Sequence, residues 1–493
     1  MNSRKMCDRL LMVLLLVPGV CFSVADGTPL DDYVNTPDSH YTWKALEWTY
    51  KGEGYTLHLV NMTSQKWLTE NEVDRPVWFH YIVIAVPDVI VHKDTAFMYI
   101  SGRGNSYDYT PDVTDHFVSF ISMMAVSTGT VTANLRQIPN QPLYFKNDPQ
   151  YKRRSEDAII AWTWRMFMDN PSKPEWLVRL PMTKGSVRAM DTISAFAKTV
   201  KSETDIKKFV VCGESKRGWT TWTTAAVDKR VIAISPIVMD LLNMVKNLHH
   251  HYRSLGGWTF AFNDYYQENI TASLDDKATQ QLADIVNPYS YLDRLTMPKY
   301  IVTTGGDEFF LPDDSYYYLQ NLPGENYLRV IPNAEHSLTG HRVSLFLGMR
   351  AFYLSVLENI NRPNITWNRE VYKDGGRITV YTDRKPDLIR YHYATTMGGS
   401  RRDFRLAVAD PNNPDGFRPQ PVIWKADAVK KKSDTEYTVY QGNPVVGWKA
   451  FFIEMTFKGP DDSEFEFTTE TQIIPDTFAV PDCHGIECRG TLV

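Results

Sequence analysis

From about residue 76 the chain alternates between short β-branched or aromatic runs and stretches of helical period. The runs Val77–Val86, Thr95–Ile100, Met124–Leu135, Phe209–Cys212, Val231–Met239, Tyr300–Thr304 and Tyr327–Ile331 predict strands. Ser155-Glu156-Asp157 opens a helical stretch with Ile159, Trp162 and Met166 on one face. Val187, Met190, Ile193, Ala197 and Val200 mark a second, and residues 341–358 a third. Strands that alternate with helices predict a mostly parallel sheet covered on both faces, an α/β class of fold.

The pattern changes at both ends and once in the middle. Residues 26–75 are mixed, with Trp43, Trp48, Tyr50 and Trp67, and read as an N-terminal extension packed on the body at 76–360. About 241–297 is a long insertion between two strands, placed where a cap would cover one end of the sheet. After residue 361 the helical signal stops. Short alternating runs at Arg377–Tyr381, Leu388–Tyr393, Phe404–Val408, Glu436–Tyr440, Trp448–Phe457 and Glu464–Thr469 predict a β-sandwich-like domain over 361–480. Residues 481–493 form a polar tail.

Composition adds a compartment. Arg4, Lys5 and Arg9 precede the apolar run Leu10–Phe22, and Ser23-Val24-Ala25 supplies small residues, so residues 1–25 read as a signal peptide of a secreted, extracellular protein. No later run is long and apolar enough to predict a membrane span. Asn61, Asn269 and Asn364 open glycosylation sequons. The formal charge is −5, and removing residues 1–25 takes away three bases and one acid, leaving −7. That balance argues against nucleic acid as a partner. Cys483 and Cys488 lie five residues apart in the tail and predict a small disulfide loop; a metal site with His484 is the alternative. Cys212 reads as a buried, inert thiol.

The candidate chemistry sits at the ends of the predicted strands. Val210-Val211-Cys212-Gly213-Glu214-Ser215-Lys216-Arg217-Gly218-Trp219 runs from an apolar strand through Gly-x-Ser into a helix-compatible segment, as the nucleophile elbow of an α/β-hydrolase does. The second glycine of that motif normally falls two residues after the serine. Here Arg217 holds that place and Gly218 follows. Asp307 and His336 end the next predicted strands in the order Ser, Asp, His, which gives Ser215 as nucleophile, His336 as base and Asp307 as orienting acid. Asp240 and Asp313 are alternative acids. The amide of Lys216 and those of Arg103 or Gly104, in a glycine-rich loop after an early strand, are the expected oxyanion donors. Lys216 and Arg217 either favour an anionic substrate group or pair with acids such as Glu214. His249, His250 and His251 point in different directions on a helix and make a poor metal site.

Gly213-Glu214-Ser215-Lys216-Arg217-Gly218-Trp219, Gly306-Asp307-Glu308-Phe309-Phe310-Leu311-Pro312-Asp313 and Pro332-Asn333-Ala334-Glu335-His336-Ser337-Leu338 together resemble the PhoPQ-activated pathogenicity-related protein family, in its eukaryotic branch of secreted autocrine proliferation repressor-like proteins. Ala189-Met190-Asp191 and Arg402-Asp403-Phe404-Arg405 share the resemblance, which spans about residues 30–475. It implies an α/β-hydrolase fold with a β-rich C-terminal part, and a displaced elbow glycine like that of glucuronoyl esterases. The expectation is a secreted serine hydrolase acting through an acyl-enzyme on a small ester or peptide substrate, with no metal or organic cofactor. The alternative is an extracellular signalling protein that restrains proliferation through a cell-surface receptor, with the hydrolase fold as scaffold.

Overall fold

The computed structural model describes residues 27–493, and the expected signal peptide at 1–25 lies outside the described residues. In chain order the first nine strands are β1 (Thr42–Gly52), β2 (Tyr55–Lys66), β3 (Val77–Pro87), β4 (Thr95–Ile100), β5 (Val131–Leu135), β6 (Lys208–Glu214), β7 (Val231–Ile237), β8 (Lys299–Thr304) and β9 (Asn326–Ile331). They lie side by side in the order β1-β2-β3-β5-β4-β6-β7-β8-β9. The strands from β5 through β4, β6, β7 and β8 to β9 are parallel, while β1, β2 and β3 run antiparallel at one edge.

Alternate side chains of each strand feed two cores, one on each face of the sheet. Met98 and Val211 belong to one core, and their neighbours Phe97 and Val210 to the other. The nine α-helices among the described residues are α1 (Pro29–Asn35), α2 (His116–Thr128), α3 (Asp157–Asp169), α4 (Arg179–Val200), α5 (Lys216–Val227), α6 (Met244–Leu255), α7 (Asn263–Gln267), α8 (Lys277–Val286) and α9 (Arg342–Leu357). Helices α2 and α9 cover the Phe97 face; α1, α3, α4, α5, α6 and α8 pack on the Met98 face. This is an α/β-hydrolase fold in which α6, α7 and α8 form the cap.

The N-terminal residues are not an appendage. Residues 42–66 form a hairpin, turned at Gly54 with φ +77°, that pairs with β3 and extends the main sheet. The hairpin is hard to read because β1 is an edge strand with most of its side chains in solvent, so its alternation is weak. The run Met124–Leu135 also divides. Its first part is the end of α2, apolar because Phe120, Ile121, Met124 and Ala125 are buried, and only Val131–Leu135 is strand.

The C-terminal region continues the same sheet. Its strands are β10 (Ile365–Tyr372), β11 (Gly375–Thr382), β12 (Leu388–Thr395), β13 (Ala407–Asp410), β14 (Asn413–Pro419), β15 (Lys425–Ala428), β16 (Lys430–Lys431), β17 (Glu436–Gly442), β18 (Lys449–Lys458), β19 (Glu464–Thr468) and β20 (Gln472–Ile474). Strand β19 pairs with β9, and β18, β12 and β15 follow outward. A second sheet, β10-β11-β17-β16, packs against these strands through Ile378, Val380 and Val439 on one side and Phe451, Ile453 and Met455 on the other. The sandwich therefore shares one of its layers with the hydrolase sheet. The run Phe404–Val408 is mostly loop, and strand begins only at Ala407.

Candidate active site

Strand β6 delivers Ser215 into a turn that few side chains tolerate, at φ 55° and ψ −124°. The Ser215 N–H donates to the carbonyl of Ile237 at 2.8 Å, which ties the turn to the next strand. Two glycines make the turn possible. A Cβ on Gly213 would lie 2.7 Å from the Arg217 carbonyl oxygen, and one on Gly218 would lie 2.9 Å from Met239 Cβ. Position 217 needs no glycine, because its side chain leaves the turn. Arg217 is buried, donates from Nε to the Ile138 carbonyl at 2.5 Å, and forks onto Glu156 at 2.6 and 2.8 Å. Gly102 makes room for that guanidinium, since a Cβ there would lie 2.3 Å from it.

The three residues expected at strand ends meet. His336 Nε2 lies 2.8 Å from Ser215 Oγ, and His336 Nδ1 lies 2.9 Å from both carboxylate oxygens of Asp307. Asp307 is buried at the end of β8 and accepts the N–H groups of Phe309 at 2.7 Å and Phe310 at 3.2 Å, an arrangement that fixes its carboxylate. Burial would lower the His336 pKa, but the Asp307 carboxylate beside it outweighs burial and raises it above 6.5; Glu308 adds to the rise and Lys216 opposes it. The rings of Phe309 and Phe310 stand 4.4 and 5.8 Å from the imidazole and shield it.

Three supporting residues were assigned no role from the sequence. Glu308 accepts the His336 N–H at 3.0 Å. Trp424, about ninety residues downstream, donates its indole N–H to the Gly305 carbonyl at 3.1 Å and exchanges two hydrogen bonds with Asn333 at 2.8 and 2.9 Å. Leu406 donates its N–H to the Gly306 carbonyl at 2.9 Å. The loops that carry Asp307 and His336 are thus held from the C-terminal region, which only a long-range fold can reveal.

The other candidates lie elsewhere. Asp240 is buried and makes no hydrogen bond to His336. Burial, reinforced by the charges of Asp307, Asp313 and Glu470, pushes its carboxyl up to about 7. Asp313 bonds His250 Nε2 at 3.0 Å and Arg402 at 2.7 Å; burial opposes its charge, but these two partners hold its pKa well below the usual range. Neither alternative acid touches the imidazole. Lys216 and Arg217 pair with Asp157 and Glu156 rather than with Glu214, whose partners are Tyr99 and Arg342. Among the described residues the N–H groups of Arg103, Gly104 and Lys216 donate to no protein acceptor. Arg103 takes φ 89° and pairs its side chain with Asp115, and neither it nor Gly104 lines the cavity at Ser215.

The three histidines point three ways: His249 to Asp275 and Asp482, His250 to Asp313, and His251 to the Thr259 N–H at 3.1 Å. Cys483 and Cys488 form a disulfide, so these two sulfurs are bonded to each other although His249 lies close by. Cys212 is buried without a disulfide partner, and burial pushes its thiol up. Asn269 and Asn364 are exposed; Asn61 is half-buried in the middle of β2.

A cavity of about 50 Å³ opens beside Ser215 Oγ. Its walls come from α3, the start of α4, α5, the cap and the loop after Asp307. Trp219 and Trp258 both line it. No helix of the described residues is long and apolar enough to cross a membrane.

Comparisons with known proteins agree with the motifs. The model of the PhoPQ-activated pathogenicity-related protein family matches residues 30–405. Autocrine proliferation repressor protein A of Dictyostelium discoideum is 38% identical, over 98% of this chain and 97% of its own. Among solved structures, an acetyl xylan esterase from Paenibacillus sp. R4 aligns over 66% of this chain and 91% of its own, at 12% identity and a TM-score of 0.45. A glucuronoyl esterase from Solibacter usitatus aligns over 66% and 86%, at 12% identity and a TM-score of 0.39.

Proposed function

The chain belongs to the PhoPQ-activated pathogenicity-related protein family, and we propose that it is a secreted serine hydrolase that cleaves a small ester or peptide substrate through an acyl-enzyme. The contact of Ser215 Oγ with His336 Nε2, while Nδ1 faces Asp307, carries this reading. In the proposed cycle Ser215 Oγ attacks the substrate carbonyl and its proton passes to His336 Nε2. Asp307 keeps Nδ1 protonated and stabilises the imidazolium. The oxyanion is received by the Lys216 N–H at the start of α5, with the amides of Arg103 or Gly104 as second donor. His336 then protonates the leaving group, the Ser215 ester forms, and water activated by the same imidazole releases the acid.

The purified protein is expected to hydrolyse p-nitrophenyl acetate, and Ser215→Ala to lower kcat by more than about a thousandfold. An unchanged rate in that variant sinks the proposal.

A second reading rests on the likeness to the autocrine proliferation repressor over nearly the whole of both chains. In it the protein is an extracellular signal that restrains proliferation through a cell-surface receptor. Growth assays with the Ser215→Ala protein separate the two: restraint that survives the substitution belongs to the scaffold, and restraint that disappears belongs to the hydrolase.

A further inference from the structure

The cavity at Ser215 is small and mostly apolar, and the C-terminal tail fixes its roof. Cavities of about 150 Å³ hold a benzene ring. The space beside Ser215 is about 50 Å³, room for a chain of two or three carbons. Its apolar walls include Trp219, Leu248, Trp258, Leu274 and Phe309. Three charged groups line it as well: Lys216 and Asp157 are paired, while among the described residues Arg179 has no carboxylate partner and its buried Nε makes no hydrogen bond. Lys216 Nζ lies 3.0 Å from Asp157, and Asp157 also accepts the Tyr265 hydroxyl at 2.9 Å. Arg179 lies over the Trp219 ring at 4.2 Å and donates to the Lys216 carbonyl at 2.8 Å.

The roof does not yield easily. Trp258 is fully buried, and its indole N–H donates to the Cys488 carbonyl at 2.8 Å. Its backbone pairs with the tail in both directions, from Trp258 N–H to Thr491 O and from Val493 N–H to Trp258 O, each at 2.8 Å. Thr271, also a wall residue, donates to the Arg489 carbonyl at 3.3 Å. The approach is so close that a Cβ on Gly257 would lie 2.6 Å from the Thr491 oxygen. The Cys483–Cys488 disulfide closes the loop that leads into this strap.

We propose that the enzyme selects esters of short acyl groups of two or three carbons, and that the C-terminal strap is the specificity element that holds the cavity to that size. This rests on Ser215 being the nucleophile. Each methylene beyond the cavity's limit costs roughly tenfold in kcat/KM.

The test measures kcat/KM for p-nitrophenyl acetate, butyrate and octanoate with the full-length secreted protein. Acetate is expected to exceed octanoate by at least about a hundredfold, as several surplus methylenes imply. Leu274→Ala, or the milder Ile270→Val, widens the pocket and is expected to raise the butyrate-to-acetate ratio about tenfold, the worth of one methylene. Trp258→Phe, which keeps the ring but loses the bond to the tail, is expected to move the ratio the same way. Thermal unfolding identifies which variants are folded. Octanoate turned over as fast as acetate, or ratios unmoved in folded variants, overturns the proposal while leaving the nucleophile in place. Hydrolysis of all three esters that persists in Ser215→Ala, or none at all, overturns the serine reading and this proposal with it.

Discussion

At the scale of the residue, environment separates three carboxylates that the sequence leaves as rivals. Asp307 faces the imidazole, Asp313 is spent on Arg402 and His250, and Asp240 is buried without a cation at hydrogen-bond range. Spacing placed Asp307 and His336 at strand ends but cannot tell which acid turns toward the histidine, because that depends on side chains from other elements. The account predicts distinct pH behaviour. The proposed base must be neutral to act, and its pKa is raised, so kcat/KM is expected to climb with pH along a limb centred above 6.5. Asp307→Asn removes the charge but keeps the burial, which moves the limb below 6.5 and cuts kcat by about 10⁴. Asp240→Asn leaves the limb in place. Asp240 should instead show in stability. Its folded pKa of about 7 exceeds the ordinary 3.8, so the native state holds a proton that the unfolded chain has released, and stability falls as pH rises between these values. Thermal unfolding at pH 5 and pH 8 is expected to show a smaller difference in Asp240→Asn than in the parent.

At the scale of the element, the elbow explains its displaced glycine. The helix after Ser215 turns its third residue, Gly218, against Met239 and the carbonyls of Gly213 and Ile237, while position 217 points away from that contact and holds a buried arginine tethered to Glu156. The Gly-x-Ser signature was legible as a strand–turn–helix. The role of Arg217 was not, because Glu156 lies sixty residues upstream and itself takes a left-handed φ of 53°. Gly218→Ala is expected to destabilise the protein by about 1–3 kcal/mol through overpacking, measured by chemical denaturation. A neutral result there contradicts the described packing. The glycine-rich loop similarly read as an oxyanion donor; the structure adds that Gly102 is the seat of the Arg217 guanidinium.

At the scale of the molecule, the two halves share one sheet joined along β9 and β19. Val330 N–H donates to Thr468 Oγ1 at 3.1 Å, and Phe467 stacks on Tyr327 at 4.4 Å. The sequence showed where helices end and strands take over, but not that the later strands extend the earlier sheet. Pairing between residues 140 apart leaves no local pattern. A chain ending at residue 360 exposes the β9 edge and loses Trp424 from the Asp307 and His336 loops, so it is expected to aggregate or stay inactive. The intact protein is expected to unfold in a single calorimetric transition; two well-separated transitions contradict the shared sheet.

All of this converges on one nucleophile. The most direct measurement exposes the folded, full-length protein to a fluorophosphonate probe and maps the labelled peptide by mass spectrometry. The account predicts labelling on Ser215 that is lost in both Ser215→Ala and His336→Ala. A folded protein that stays unlabelled, or that carries the label on another residue, contradicts it.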